Sequence, residues 1–211
     1  MLGSKVELFS QVGELVAKDV TPWQTFSGRG LRFWLESYDW NQCACVSHLR
    51  MRAFFGLMQM DTVICTPYAK DLPLFSYDFI TAFGRNTLLL EAYDTQVQPA
   101  DLSAMEAVKA KYQDLKDKPM KPAWFDSLKL PSTLSKTGDK ARLSELATEM
   151  IQAYIGLFAS ARKVDKAAKT ARNSDYVEGL IKDGPTFRVV SKMVGVDSAR
   201  ILFWKYIFGT I

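Results

Sequence analysis

Between Leu31 and Tyr93 the chain alternates apolar stretches with very short breaks, and this limits its possible folds more than any other feature. The stretches cover 31–38, 43–55, 61–66, 76–83 and 87–94 and are rich in aromatic and aliphatic residues. Between them lie Asp39-Trp40-Asn41-Gln42, a solitary Gly56, a proline-bounded connection from Pro67 to Pro73, and Phe83-Gly84-Arg85-Asn86. Partial alternation of apolar and polar positions predicts strands. Links this short favour antiparallel neighbours, because a parallel crossover needs a dozen or more residues.

Helical patterns flank this block. Val6, Phe9, Val12, Val16 and Val20 are near helical spacing over 5–20, and Thr21, Pro22 and the run Ser27-Gly28-Arg29-Gly30 mark a break. After Pro99, Asp101 or Ser103 can cap a helix running to about Lys116. A loop with Pro119, Pro122 and Pro131 follows, then a long helical pattern over 141–172 with Leu143, Leu146, Met150, Tyr154, Leu157 and Phe158 on one face. Two more helical segments are predicted near 175–193 and 198–208. A run of strands between helices predicts an α/β protein, a three-layer α/β/α sandwich with a mainly antiparallel central sheet, the alternative being a two-layer α+β fold. At 211 residues the chain fits one domain, 1–211.

Several function classes are set aside by what the sequence lacks. There is no βαβ alternation, no GxGxxG or P-loop, and no GxSxG elbow. No stretch approaches the roughly 20 apolar residues of a membrane helix, and the start reads as amphipathic, not as a signal peptide. A cytosolic protein, or its equivalent in the plastid stroma, is expected, with no membrane partner and no nucleic-acid partner. Cys43, Cys45 and Cys65 are odd in number, and with one histidine, His48, they fall short of a zinc ligand set; reduced cysteines within a sheet are expected. The net charge of +4 is modest, with lysines concentrated in the second half.

With one histidine and no metal or nucleotide motif, catalysis would rest on carboxylates. Asp61 heads one predicted strand and Asp78 lies inside the next. If the strands pair, the two acids can meet on an apolar face, where burial would raise a carboxyl's pKa and fit it to donate a proton near neutral pH. The plainer reading puts Asp78 on a solvent face and Asp61 at the end of a turn.

The segment Leu72-Pro73-Leu74-Phe75-Ser76-Tyr77-Asp78 resembles the one that leads into the strand bearing the essential aspartate of the ferredoxin-dependent bilin reductases. The likeness continues in order: Val63 to Pro67, Tyr93-Asp94 with Pro99, Lys121-Pro122-Ala123-Trp124 followed by Ser127, and Asp197-Ser198-Ala199-Arg200. It spans roughly 45–205. There are departures. The family's glycine after the phenylalanine is Ser76, its frequent histidine one strand earlier is Asp61, and basic residues stand near Arg50 where a glutamate is expected. Red chlorophyll catabolite reductase is a related enzyme.

The resemblance implies reduction of a linear tetrapyrrole, a biliverdin-like bilin, held between the sheet and the C-terminal helices. It implies no bound metal or flavin, and electrons arriving singly from external reduced ferredoxin. Asp78 would be the primary proton donor, Asp197 the second, and Asp61 would take the histidine's place. Phe75, Val63 and Cys65 would lie against the substrate, and Lys129 and Arg200 would pair with its propionates. Against these stand plainer roles: Asp197 as a helix cap, Phe75 and Trp124 as core, Lys129 and Arg200 as surface charges. The lysines of 109–121 and 163–169 would offer an acidic ferredoxin a docking surface on a monomer. A non-catalytic tetrapyrrole carrier or chaperone on the same fold is the alternative, and a protein-interaction module using the lysine-rich helices is a third.

Overall fold

The alternation is realised as one antiparallel sheet in the computed structural model, which describes residues 5–18, 24–28 and 31–211. In chain order the described elements are α1 (Glu7–Ser10), β1 (Leu15–Ala17), β2 (Gln24–Gly28), β3 (Leu31–Trp40), β4 (Ala44–Ala53), β5 (Met58–Pro67), β6 (Leu74–Ala82) and β7 (Arg85–Tyr93). Then come α2 (Ser103–Lys111), β8 (Lys116–Asp117), β9 (Leu134–Thr137), α3 (Lys140–Ser160), α4 (Lys166–Asp183), α5 (Pro185–Val194) and α6 (Val196–Ile201), which runs into a π-helical turn at Leu202–Ile207. The sheet order is β1-β3-β4-β5-β6-β7-β9-β8, with β2 also on β3, and every pair is antiparallel.

Successive side chains of a strand point to opposite faces, so each central strand serves two cores. Val46, Val63, Cys65, Phe75, Tyr77, Leu88 and Leu90 pack on one face with Phe9 of α1, Met105 of α2 and the apolar stripe of α3. Phe33, Leu35, Leu49, Ile64, Leu74 and Tyr93 pack on the other with Tyr176 and Val177 of α4, Phe187 of α5, and Ala199, Leu202 and Phe203.

The ends of the chain's predicted elements differ from expectation for local reasons. The helix expected over 5–20 is limited to α1, and Leu15–Ala17 is a strand on β3. A Cβ at Gly13 would collide with Trp40 and Asn41, so the chain turns in close contact there, and Val12 and Val16 are exposed instead of lining a helix face. The Thr21-Pro22 break lies outside the described residues, whereas Ser27 and Gly28 belong to β2. The pattern over 141–172 divides in two: α3 ends at Ser160, and Asp165 caps α4 by accepting from the Ala168 amide. Strands β8 and β9 occupy the loop expected around the prolines.

The connection from Pro67 to Pro73 is fixed by both α3 and α4. Tyr154 of α3 donates to Pro73 O at 2.9 Å, and Asn173 of α4 donates to Pro67 O at 2.8 Å. Between them the fully buried Lys169 donates to Leu72 O at 2.7 Å, Thr95 O at 2.6 Å and Thr95 Oγ1 at 3.0 Å. Burial pulls its ammonium down to about 8, against the pull of the Asp71 and Asp94 carboxylates. Lys169→Met removes the donor from two buried carbonyls, each costing about 1–3 kcal/mol when left unpaired; relief of the buried charge offsets part of this. A net loss of about 1–3 kcal/mol is expected, read as a lower denaturant midpoint at unchanged slope.

Candidate functional site

Partners on β5 and β6 share parity: Thr62 faces Asp78, and Asp61 faces Phe79. The even positions of these strands, with the odd positions of β7, form the floor of a cavity of about 340 Å³. Thr62, Ser76, Asp78, Glu91 and Tyr93 supply its polar floor, and Tyr176, Leu180, Phe203 and Phe208 its opposite wall. Met120, Lys121, Phe125 and Lys129, from the segment between β8 and β9, close one side. Trp124 of that segment packs on α4 where Gly179 leaves room; a Cβ there would collide with the indole. Such a volume, mostly apolar walls and a few converging polar groups are the usual make-up of a small-molecule site.

Asp78 is the chemically distinctive group. It is enclosed by protein yet keeps a partial opening on the cavity. Thr62 Oγ1 donates to its Oδ1 at 2.5 Å and Ser76 Oγ to its Oδ2 at 2.9 Å. Burial raises its carboxyl to about 6, against these two hydrogen bonds and with help from the charges of Glu91 and Asp61. Beside it, Glu91 accepts from Tyr93 OH at 2.6 Å and pairs with Lys129 at 2.8 Å. Lys129 also reaches Asp126 at 2.9 Å. Burial works against the Lys129 charge, and these carboxylates outweigh it, so its pKa lies above the ordinary value.

The two acids expected to meet do not. Asp61 points to the opposite face, where its Oδ1 is 2.6 Å from His48 Nε2, while His48 Nδ1 lies 3.1 Å from Glu36. The cause is the strand period: the register puts odd-numbered Asp61 and even-numbered Asp78 on different sides. The same parity sends Val63, Cys65 and Phe75 into the core under α3, where Phe75 stacks on Tyr154 at 4.6 Å. Asp197 and Arg200 are exposed on α6, because that helix turns Ala199, Leu202 and Phe203 inward. Asp197 makes no side-chain cap either, the cap position being Gly195. Of the expected site residues, Asp78 and Lys129 line the cavity. Among the described residues no group of three or more metal-ligating side chains gathers, and all three cysteines are free.

Thr62, Glu91 and Tyr93 were not read from sequence as site residues, Tyr93 being noted only within the Tyr93-Asp94 segment, and Tyr176 was not singled out at all. The signal for the first three was the sheet face they share with Asp78; the seven-residue proline-bounded connection leaves the β5–β6 register, and so Thr62, open until the structure sets it, and Glu91 and Tyr93 depend on the β6–β7 register. No glutamate stands near Arg50 in β4, and Glu91 on the cavity floor is three strands away. Ser76, a departure from the family pattern, supplies a donor to Asp78.

A carboxyl raised from 3.8 to about 6 binds its proton more tightly folded than unfolded. Its contribution to stability is therefore full below pH 4 and is lost as pH rises through 6. Asp78→Asn abolishes that loss. Relative to the variant, the wild type should become less stable between pH 4 and pH 7, by up to about 3 kcal/mol. Urea unfolding of both proteins across this range measures it, and parallel pH profiles would show that Asp78 is not perturbed.

No family model and no curated protein matches the sequence. Among solved structures the fold is found in phytochromobilin synthase from tomato, determined in complex with biliverdin. The TM-score is 0.75 over 98% of this chain and 80% of that one, with 14% sequence identity. That protein is a ferredoxin-dependent bilin reductase. The fold implied by the resemblance in the sequence is therefore the fold this chain adopts, in strongly diverged form.

Proposed function

We propose that the chain binds a linear tetrapyrrole of the biliverdin type in this cavity and reduces it, with Asp78 as first proton donor. Electrons come one at a time from an external reduced ferredoxin, and the chain carries no metal or flavin of its own. The single observation behind this reading is a carboxyl poised at about 6, aimed into an apolar cavity, on a fold shared with a biliverdin-bound synthase. A group titrating near the operating pH can both hold and release a proton. The two cores on opposite faces of the sheet support the three-layer α/β/α reading of a single domain, with the cavity between the sheet and the C-terminal helices.

Reduction of one double bond consumes two electrons and two protons. Asp61 and Asp197 lie outside the cavity, and Glu91, the other carboxyl of the described lining, is paired with Lys129 and accepts from Tyr93 OH, so the second proton comes from Asp78 reprotonated by solvent between the two electron arrivals. Lys129 is placed to meet a propionate, which must compete with Glu91 and Asp126 for it. Lys121 is exposed at the cavity rim and Lys118 in the adjoining groove, near the substrate and open to an acidic donor. The rest of the expected docking surface is smaller than the sequence suggests, since Lys169 is buried and Lys109 is tied to Pro131 O and Thr133 O.

A non-catalytic carrier or chaperone is the second reading. One observation favours it: of the three acids expected to do the chemistry, Asp78, Asp197 and Asp61, Asp78 alone lines the cavity.

Biliverdin should bind about one to one, shift its absorption and raise the unfolding temperature, as a ligand of the folded state must. With a reducing ferredoxin system, Asp78→Asn should still bind but stall with a reduced radical. Normal product from this variant would remove Asp78 from the chemistry, and binding without any product in the wild type would establish the carrier.

The ferredoxin-supported rate should fall as salt rises, and charge reversal at Lys118 and Lys121 should slow it without changing the product. A rate independent of ionic strength would argue against electrostatic docking there.

A further inference from the structure

The turns joining β4 to β5 and β6 to β7 lie side by side and end in uncovered aromatic rings. Phe55 is fully exposed, Phe83 is 65% exposed, and Phe54 and Leu57 are each 58% exposed. The two turns are tied together: the Phe83 amide donates to Leu57 O at 2.9 Å, and the Phe54 and Phe83 rings are 6.0 Å apart. All three phenylalanines adopt left-handed backbone, with φ of 52°, 55° and 50°. For a bulky side chain this costs about 1–3 kcal/mol each. The same turns already contain Gly56 and Gly84 for their left-handed positions. The phenylalanines are therefore not there for the convenience of the backbone.

The charge around these tips is of one sign. Neither 50–60 nor 79–90 contains an acidic residue. Exposed Arg32 and Arg52 stand directly opposite each other on β3 and β4, an arrangement of like charges that destabilises a sheet unless an anion approaches. The Arg52 guanidinium lies over Trp34, 5.8 Å from its ring centre. Arg85, opposite Ala82 at the other tip, adds an exposed cation on the cavity face. At the neighbouring end of β9, Asp139 is engaged in capping α3 and is followed by Lys140.

We propose that this pair of tips is a docking site for an anionic lipid surface, with the phenylalanines and Leu57 entering the headgroup region and the arginines meeting lipid phosphates. Aromatic and aliphatic side chains collared by arginine have the composition of an interfacial anchor. This replaces the sequence-based expectation of no membrane partner; such contact requires no spanning helix, and none of the described helices is long and apolar enough to span. A second copy of the chain fits less well. It would set arginine against arginine, and four apolar side chains fall far short of the roughly 20–30 residues a side in a stable protein interface. Docking brings one end of the cavity close to the bilayer, since the lining residues Met60 and Ile80 are two register positions from the tip pair Met58–Ala82.

The test is co-sedimentation of the full chain with vesicles of phosphatidylcholine alone and of phosphatidylcholine with phosphatidylglycerol, at low and high salt. Partition onto the anionic vesicles is expected, falling with salt. The triple variant Phe54→Ser, Phe55→Ser, Phe83→Ser should bind at least ~10-fold more weakly. Arg52→Gln with Arg85→Gln should lose roughly fivefold per arginine and flatten the salt dependence. An unchanged thermal midpoint shows that a variant is folded; should the triple variant fail this, Phe55→Ser alone carries the test. Absence of wild-type partition at low salt, or undiminished partition of the phenylalanine variant, would overturn the proposal. So would a wild-type dimer in light scattering that the phenylalanine variant converts to monomer, because a second copy would then cover the tips.

Discussion

The position of α4 depends on one buried ammonium group. Lys169 has no exposed surface, and its hydrogen bonds go to oxygens of the β5–β6 connection and of the segment after β7. Lys169, Asn173, Tyr176 and Leu180 follow one another at helical spacing on α4. The first two fasten the helix to the ends of the strands, and the last two form the cavity wall. An apolar stripe alone would hold α4 near the sheet without fixing its rotation or height. Hydrogen bonds to backbone carbonyls are directional and fix both. The same connection carries Pro73 into β6, so the anchor that places the wall also places the strand bearing Asp78.

Much of this architecture was legible in the sequence because it rests on local signals. The five apolar runs and their short breaks correspond to β3 through β7, and their antiparallel pairing follows from the breaks. The site was legible only in part, because which side chains meet depends on register and on parity, and neither is local. Asp78 was marked by its neighbours in the chain. Thr62 and Glu91 became its companions only when β5, β6 and β7 were aligned. Asp61 illustrates the failure: one residue from Thr62, it belongs to another core and another network. Helix faces failed similarly. Asp197 and Arg200 looked like site residues from their motif, but α6 buries Ala199 and leaves both outside. The short strands β8 and β9 carried no signal against the prolines around them and exist through pairing, β9 with β7 and β8 with β9.

The state of Asp78 is a contest between three influences of similar chemistry and different size. Burial favours the neutral acid, the donors Thr62 and Ser76 favour the anion, and Glu91 favours the neutral acid again. Two hydroxyl donors would normally hold a carboxylate ionised. That the balance still lies near 6 means that desolvation dominates. The donors nevertheless orient the carboxyl, each oxygen being held by a different hydroxyl. Lys129 bears mainly on Glu91, leaving Asp78 without a cation of its own among the hydrogen bonds and ion pairs of the described residues. A cation paired with Asp78 would have pulled it down into the range where it could not hold a proton.

The cavity sets a limit on what it holds. The cavity, about 340 Å³, is partly open, and its walls and floor differ in what they can hold. Water is poorly held over Leu49, Ile64, Leu89, Phe203 and Ile207, because an ordered water needs two to four polar partners. Such partners lie together on the floor, at Thr62, Ser76, Asp78, Glu91 and Lys129. The occupant that fits both halves is a largely apolar molecule with hydrogen-bonding atoms directed at the sheet and an acid within reach of Lys129. A planar conjugated tetrapyrrole, with pyrrole nitrogens, lactam oxygens and propionates on a hydrocarbon frame, meets those requirements. In the proposed reduction, the carboxyl of Asp78 would lie on the ligand's side of this floor.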